Sequence, residues 1–132
     1  MWTHFWDMHS GGGCKEKPYE HIYIEADGDA AEIIFQNKFG HNPNRVSCTC
    51  CGADYVIDTT ETLEQASAYH RGCAFENNAY VERPAAGKLE WHTFRTVDEY
   101  RKLPDVLIIP ASEIKDEWRK GELIEQGYVW RD

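Results

Sequence analysis

The chain has 132 residues, room for one domain, and 42% of them are hydrophobic, which supplies a core and excludes a disordered chain. Its 23 acidic and 14 basic side chains give a formal net charge of −9. Such a chain is repelled by phosphate backbones, so nucleic-acid binding is disfavoured and a protein partner with a basic surface is favoured.

Residues 2–9 open with aromatic side chains and read as a strand. Gly11, Gly12 and Gly13 then impose a loop, because glycine reaches backbone angles closed to other residues. His21 to Ala26 alternates in β-branched and aromatic residues and predicts a second strand. Asp29 and Glu32 have the spacing of a capping box, and Ala31, Ile34, Phe35 and Phe39 follow at helical intervals. Gly40 suits the C-terminal cap of that helix and Pro43 blocks its continuation.

Tyr55 to Asp58 is a short predicted strand, and Thr62 caps a helix through about His70 with Gln65 as its box partner. Tyr80–Glu82 and Leu89–His92 are strands parted by a turn at Pro84–Gly87. A helix starting at Thr96 must end before Pro104. The unbroken apolar run Val106–Ile109 predicts a central strand covered on both faces. Ser112 to Lys120 reads as a short polar helix stopped by Gly121, and Tyr128–Trp130 as a terminal strand docked in the core. The expectation is one α+β domain over 1–132, a mixed or antiparallel sheet with about three to four helices and a zinc-knuckle-like insertion at about 41–73.

That insertion carries Cys48-Thr49-Cys50-Cys51-Gly52 and, later, His70-Arg71-Gly72-Cys73. Thiolate and imidazole are the donors Zn²⁺ prefers in a closed tetrahedron. Two residues separate Cys48 from Cys51, His70 and Cys73 repeat that spacing, and eighteen residues separate the pairs. These four are the expected ligands of a structural zinc, with Cys50, Cys14 and His41 as spare candidates. Four protein ligands leave no open position for a substrate. The catalytic zinc signatures H-E-x-x-H and H-x-E with P-C-x-x-C are absent.

His9, Ser10, Gly11, Gly12, Gly13 and Lys15 form the second motif. Exposed amides, a hydroxyl and two cationic side chains suit a phosphate or nucleotide, although the spacing is neither a dinucleotide fingerprint nor a Walker loop. His9 with Cys14, or His4 with Asp7, can be paired as base and nucleophile or acid only on paper, since adjacency in sequence sets no catalytic geometry. No basic segment leads into an apolar run at the start, and Val106–Ile109 is far too short to cross a bilayer. The expectation is therefore a cytoplasmic protein with no membrane association.

On these motifs the chain resembles a family of small bacteriophage proteins of unknown function. The matching stretches are Met1-Trp2-Thr3 through Gly13, Ile22–Ala26, Phe39-Gly40-His41-Asn42-Pro43 leading into Cys48–Gly52 and Asp54-Tyr55, Val106–Ile114, and Gly127–Trp130. The resemblance implies a phage origin and expression in the cytoplasm of a bacterial host, and assigns no activity. The leading expectation is a zinc-stabilised, non-enzymatic accessory protein that binds, and by binding inhibits, a host defence or nucleic-acid enzyme. The alternative is a phosphate or nucleotide binder, or an enzyme, built on the His9–Lys15 loop.

Overall fold

A computed structural model of the chain describes residues 1–7, 14–16, 18–48, 52–53, 55–63, 79–82, 90–93 and 106–130, with backbone only at 52–53, 79–82 and 90–93. Its largest sheet has four strands in the order β5-β1-β2-β8. These are β1 (Trp2–Trp6), β2 (His21–Ile24), β5 (Val56–Thr60) and β8 (Val106–Ile109). β1 pairs antiparallel with both β2 and β5, whereas β2 pairs parallel with β8, so the sheet is mixed. A smaller sheet joins β3 (Val46–Cys48) antiparallel to β4 (Gly52–Ala53) and parallel to β9 (Val129–Trp130). β6 (Ala79–Glu82) and β7 (Glu90–Thr93) form the expected antiparallel pair.

The strand at Val106–Ile109 is present, but among the described strands it stands at the end of the sheet order instead of its centre. A run of apolar residues specifies burial, not which neighbours supply it. β1 holds a central place because it has strand partners on both sides.

The single α-helix among the described residues, α1, spans Gly28–Phe39. Its N-cap is Asp27, whose carboxylate accepts from the Ala30 amide at 3.1 Å. The cap thus lies two residues before the predicted Asp29, which sits inside the first turn and faces the positive end of the helix dipole. Gly28 allows the helix to begin close to β5: a Cβ there would meet Thr59 Oγ1 at 3.2 Å. At the other end Gly40 has φ 89°, in the left-handed region, and its amide donates to Gln36 O, as the sequence predicts.

Alternation in β1 and β2 sorts side chains between two faces. Phe5, Ile22 and Ile24 point to the side of α1 and pack with Ala31, Ile34 and Phe35. Phe5 and Phe35 lie 4.8 Å apart between ring centroids, and Tyr55 meets Phe35 edge-on. Burial of such side chains stabilises by roughly 1.5–3 kcal/mol each.

The polar helix expected at 112–120 is replaced by two 3-10 segments, Ala111–Glu113 and Asp116–Arg119. Neither has a side-chain N-cap, and Ile114, between them, is drawn into the core. The fold therefore has fewer helices than expected among the described residues. The helices predicted at 62–70 and 96–103, and the turn at 84–87, lie outside the described residues.

Residues 120–128 have no regular structure, so side chains of α1 and the following turn must satisfy their backbone. Gln36 donates to Glu122 O at 2.9 Å and accepts from Ile124 N at 2.8 Å. Asn37 Nδ2 donates to both Trp118 O and Lys120 O, and Asn42 Nδ2 to Ile124 O. These amides tie the segment to the helix and deliver it to the β3 edge. No helix among the described residues is long and apolar enough to cross a membrane.

Candidate functional site

The end of the large sheet where β1 finishes and β2 begins concentrates buried charge and imidazole. Asp7, Lys15, Glu16, His4, His21 and His41 are all buried. Side chains of these types rarely go inside unless paired.

On the α1 side, Asp7 continues the face of Phe5. Its carboxylate accepts from the Lys15 backbone amide and, at 3.0 Å, from Lys15 Nζ. The Asp7 amide donates to Glu20 O at 2.9 Å, which fixes the carboxylate relative to the approach to β2. Lys15 Nζ also lies 5.3 Å from the centroid of the Tyr55 ring. Beside this pair, His41 Nε2 meets Glu16 Oε1. The two chain segments flanking residues 8–13 are therefore clamped by an internal ion pair.

The opposite face of β1 and β2 carries His4, Trp6, His21 and Tyr23. Their rings lie nearly parallel, with His4 and Tyr23 4.2 Å apart and Trp6 and His21 inclined by only 6°. His4 Nε2 and His21 Nδ1 share a hydrogen bond of 2.8 Å, so one ring donates and the other accepts. His21 Nε2 stands 3.4 Å from Glu20 Oε2, and Asp58 of β5 is opposite His4 in the strand register. The arrangement can pass a proton between the rings. Both rings are closed from solvent, so in this conformation they do not meet a dissolved substrate.

Lys15 is the one residue of the expected anion loop that is described, and its ammonium is spent on Asp7 instead of facing outward. His9, Ser10, Gly11, Gly12 and Gly13 lie outside the described residues. Of the expected zinc ligands, Cys51, His70 and Cys73 also lie outside them, as does Cys50. Cys48 is buried on β3, opposite Gly52, and is disulfide-bonded. A disulfide sulfur offers no thiolate, so zinc coordination by Cys48 requires the reduced chain. The spare candidates Cys14 and His41 are occupied elsewhere: Cys14 Sγ lies 3.8 Å from Pro18 O, and His41 faces Glu16. Among the described residues no three His, Cys, Asp or Glu side chains are grouped to hold a metal.

The C-terminal strand departs from its expected place in the core. β9 is held by backbone pairing of Val129 and Trp130 with Val46 and Ser47, with Val129 half-buried and Trp130 exposed. Trp130 is 65% exposed, Ile124 49% and Tyr128 45%. Arg45 lies against the Tyr128 ring at 5.4 Å, and Glu122 and Glu125 are exposed beside Ile124 in the chain. Strand alternation can reveal that His4 shares a face with Trp6 and His21 with Tyr23. No local pattern predicts the Asp7–Lys15 pair or the outward turn of Trp130.

No family model, curated protein or solved structure matches this chain.

Proposed function

We propose that this chain is a non-enzymatic binding protein that docks on a basic surface of another protein through the strip formed by Ile124, Tyr128 and Trp130. One observation carries the reading: a chain of net charge −9 exposes an isoleucine, a tyrosine and a tryptophan within residues 124–130. Tryptophan and tyrosine are the side chains that most often anchor protein interfaces, and apolar clusters left in water mark such sites. The net charge selects among partners, drawing basic surfaces in and speeding their encounter. It also opposes pairing with a second copy of the same chain.

The resemblance to bacteriophage proteins supports a host protein as the partner, met in the bacterial cytoplasm. A defence or nucleic-acid enzyme fits, because its phosphate-binding face is basic and occlusion of that face would inhibit it. The internal use of Lys15 counts against the loop as a phosphate site.

Affinity capture from bacterial lysate at a series of salt concentrations tests the proposal. Basic proteins retained at low salt, released at high salt and lost with Trp130→Ala are the expected result. Equal retention by the wild type and Trp130→Ala would overturn it.

A further inference from the structure

A groove of about 280 Å³ runs beside β8, lined by Tyr19, Lys38, Leu107, Ile109, Glu113 and Trp118. Two aromatic rings and the aliphatic side chains of β8 form its apolar part, and more than half of the lining is polar, with Lys38 and Glu113 among its residues. Asn37 holds the backbone at Trp118, its Nδ2 donating to Trp118 O at 2.8 Å. Two cations lie near the Trp118 ring, Lys38 Nζ 4.8 Å and Lys115 Nζ 5.3 Å from its centroid.

Among the described residues neither ammonium has a carboxylate partner within ion-pair distance. That is unexpected in a chain where acidic side chains outnumber basic ones by 23 to 14. Within 113–120 three basic side chains, Lys115, Arg119 and Lys120, balance three acidic ones, Glu113, Asp116 and Glu117, so the local charge is less negative than that of the whole chain. Two like charges held at one ring repel each other, and a bound anion would relieve that repulsion.

We propose that this groove binds a mononucleotide. The base lies against Tyr19 and Trp118, the phosphate recruits Lys38 and Lys115, and the Glu113 carboxylate accepts from an amino group of the base. Stacking and a charge-assisted contact are the two terms such a ligand needs. The volume suits one nucleotide unit, and the overall charge of the chain opposes a longer polyanion.

Isothermal titration of the full chain with adenosine 5′-monophosphate tests the assignment, with adenosine and ribose 5-phosphate as partial ligands. The expected result is a Kd of about 1 mM or tighter. Each partial ligand, and the exposed Lys38→Gln variant, should bind at least about tenfold more weakly. Trp118→Leu should abolish binding, with its thermal midpoint recorded because Trp118 also touches the core. Absence of binding by the wild type would overturn the proposal. So would unchanged affinity in Lys38→Gln, ribose 5-phosphate binding as well as the nucleotide, or a short single-stranded oligonucleotide binding more tightly than the monomer.

Discussion

Replacing Asp7 by alanine removes the acceptor of two donors at once, the amide and the ammonium of Lys15. The side chains of Lys15 and Asp7 are 1% and 0% exposed, so water cannot take over either bond. Removing one partner of a buried pair costs roughly 3–5 kcal/mol, chiefly because the surviving charge stays inside. For a chain of this size that corresponds to a thermal midpoint lower by roughly 11–18 °C. Lys15→Met should cost less than Asp7→Ala. Its stem still fills the space beside Tyr55, and the carboxylate keeps the backbone amide. The double variant Asp7→Ala with Lys15→Met should fall short of the summed single costs by at least about 1 kcal/mol, since no charge is then stranded. Urea unfolding followed by tryptophan fluorescence reads all four free energies. A cost for Asp7→Ala below about 1 kcal/mol, the range of a solvated surface pair, would refute the clamp.

Three further outcomes are expected. Gln36→Ala should destabilise the chain by about 1–3 kcal/mol, because it leaves both Glu122 O and Ile124 N without their partner; hydrogen exchange should show faster exchange at Ile124 than at the β1–β2 amides. Gly40→Ala should cost about 1 kcal/mol in urea unfolding from backbone strain at φ 89°, since no atom lies within 4 Å of the new Cβ. The chain purified under reducing conditions should carry stoichiometric zinc by elemental analysis and lose it with Cys48→Ser; metal-free reduced protein of unchanged stability would remove the zinc expectation.

Much of the scaffold is legible in the chain because its cues are local. Ala31, Ile34 and Phe35 mark the buried side of α1, and Gly40 marks its end, since helical spacing and a left-handed cap are set within a few residues. β1 follows from its aromatic residues and β2 from alternation. What the sequence does not reveal depends on distant partners. The position of Val106–Ile109 at the end of the sheet depends on which strand claims which neighbour. The segment after Pro110 looks helical by composition, yet burial of Ile114 interrupts it. Trp130 reads as core because indoles usually are, but its strand is held by main-chain bonds to β3 that say nothing about its side chain.

The candidate site divides along the same line. The ring row of His4, Trp6, His21 and Tyr23 could have been anticipated from the two strand patterns once their register is known. The Asp7–Lys15 clamp could not, because both residues lie outside the regular elements, where no spacing rule pairs them. It changes the reading of the glycine loop: a lysine that looks available for phosphate in the sequence is committed inside the protein. The groove at Trp118 joins α1, β8 and a 3-10 segment from separate parts of the chain.

The central claim is that the exposed strip at the C-terminal strand makes the functional contact, with charge selecting the partner. The most direct measurement is the affinity of a purified captured partner for the wild type and for Trp130→Ala and Tyr128→Ala, titrated calorimetrically at two ionic strengths. Losses of about 2 kcal/mol or more for Trp130→Ala, with weaker binding at high salt, are predicted. Undiminished affinity in both variants, or binding indifferent to salt, would contradict the account.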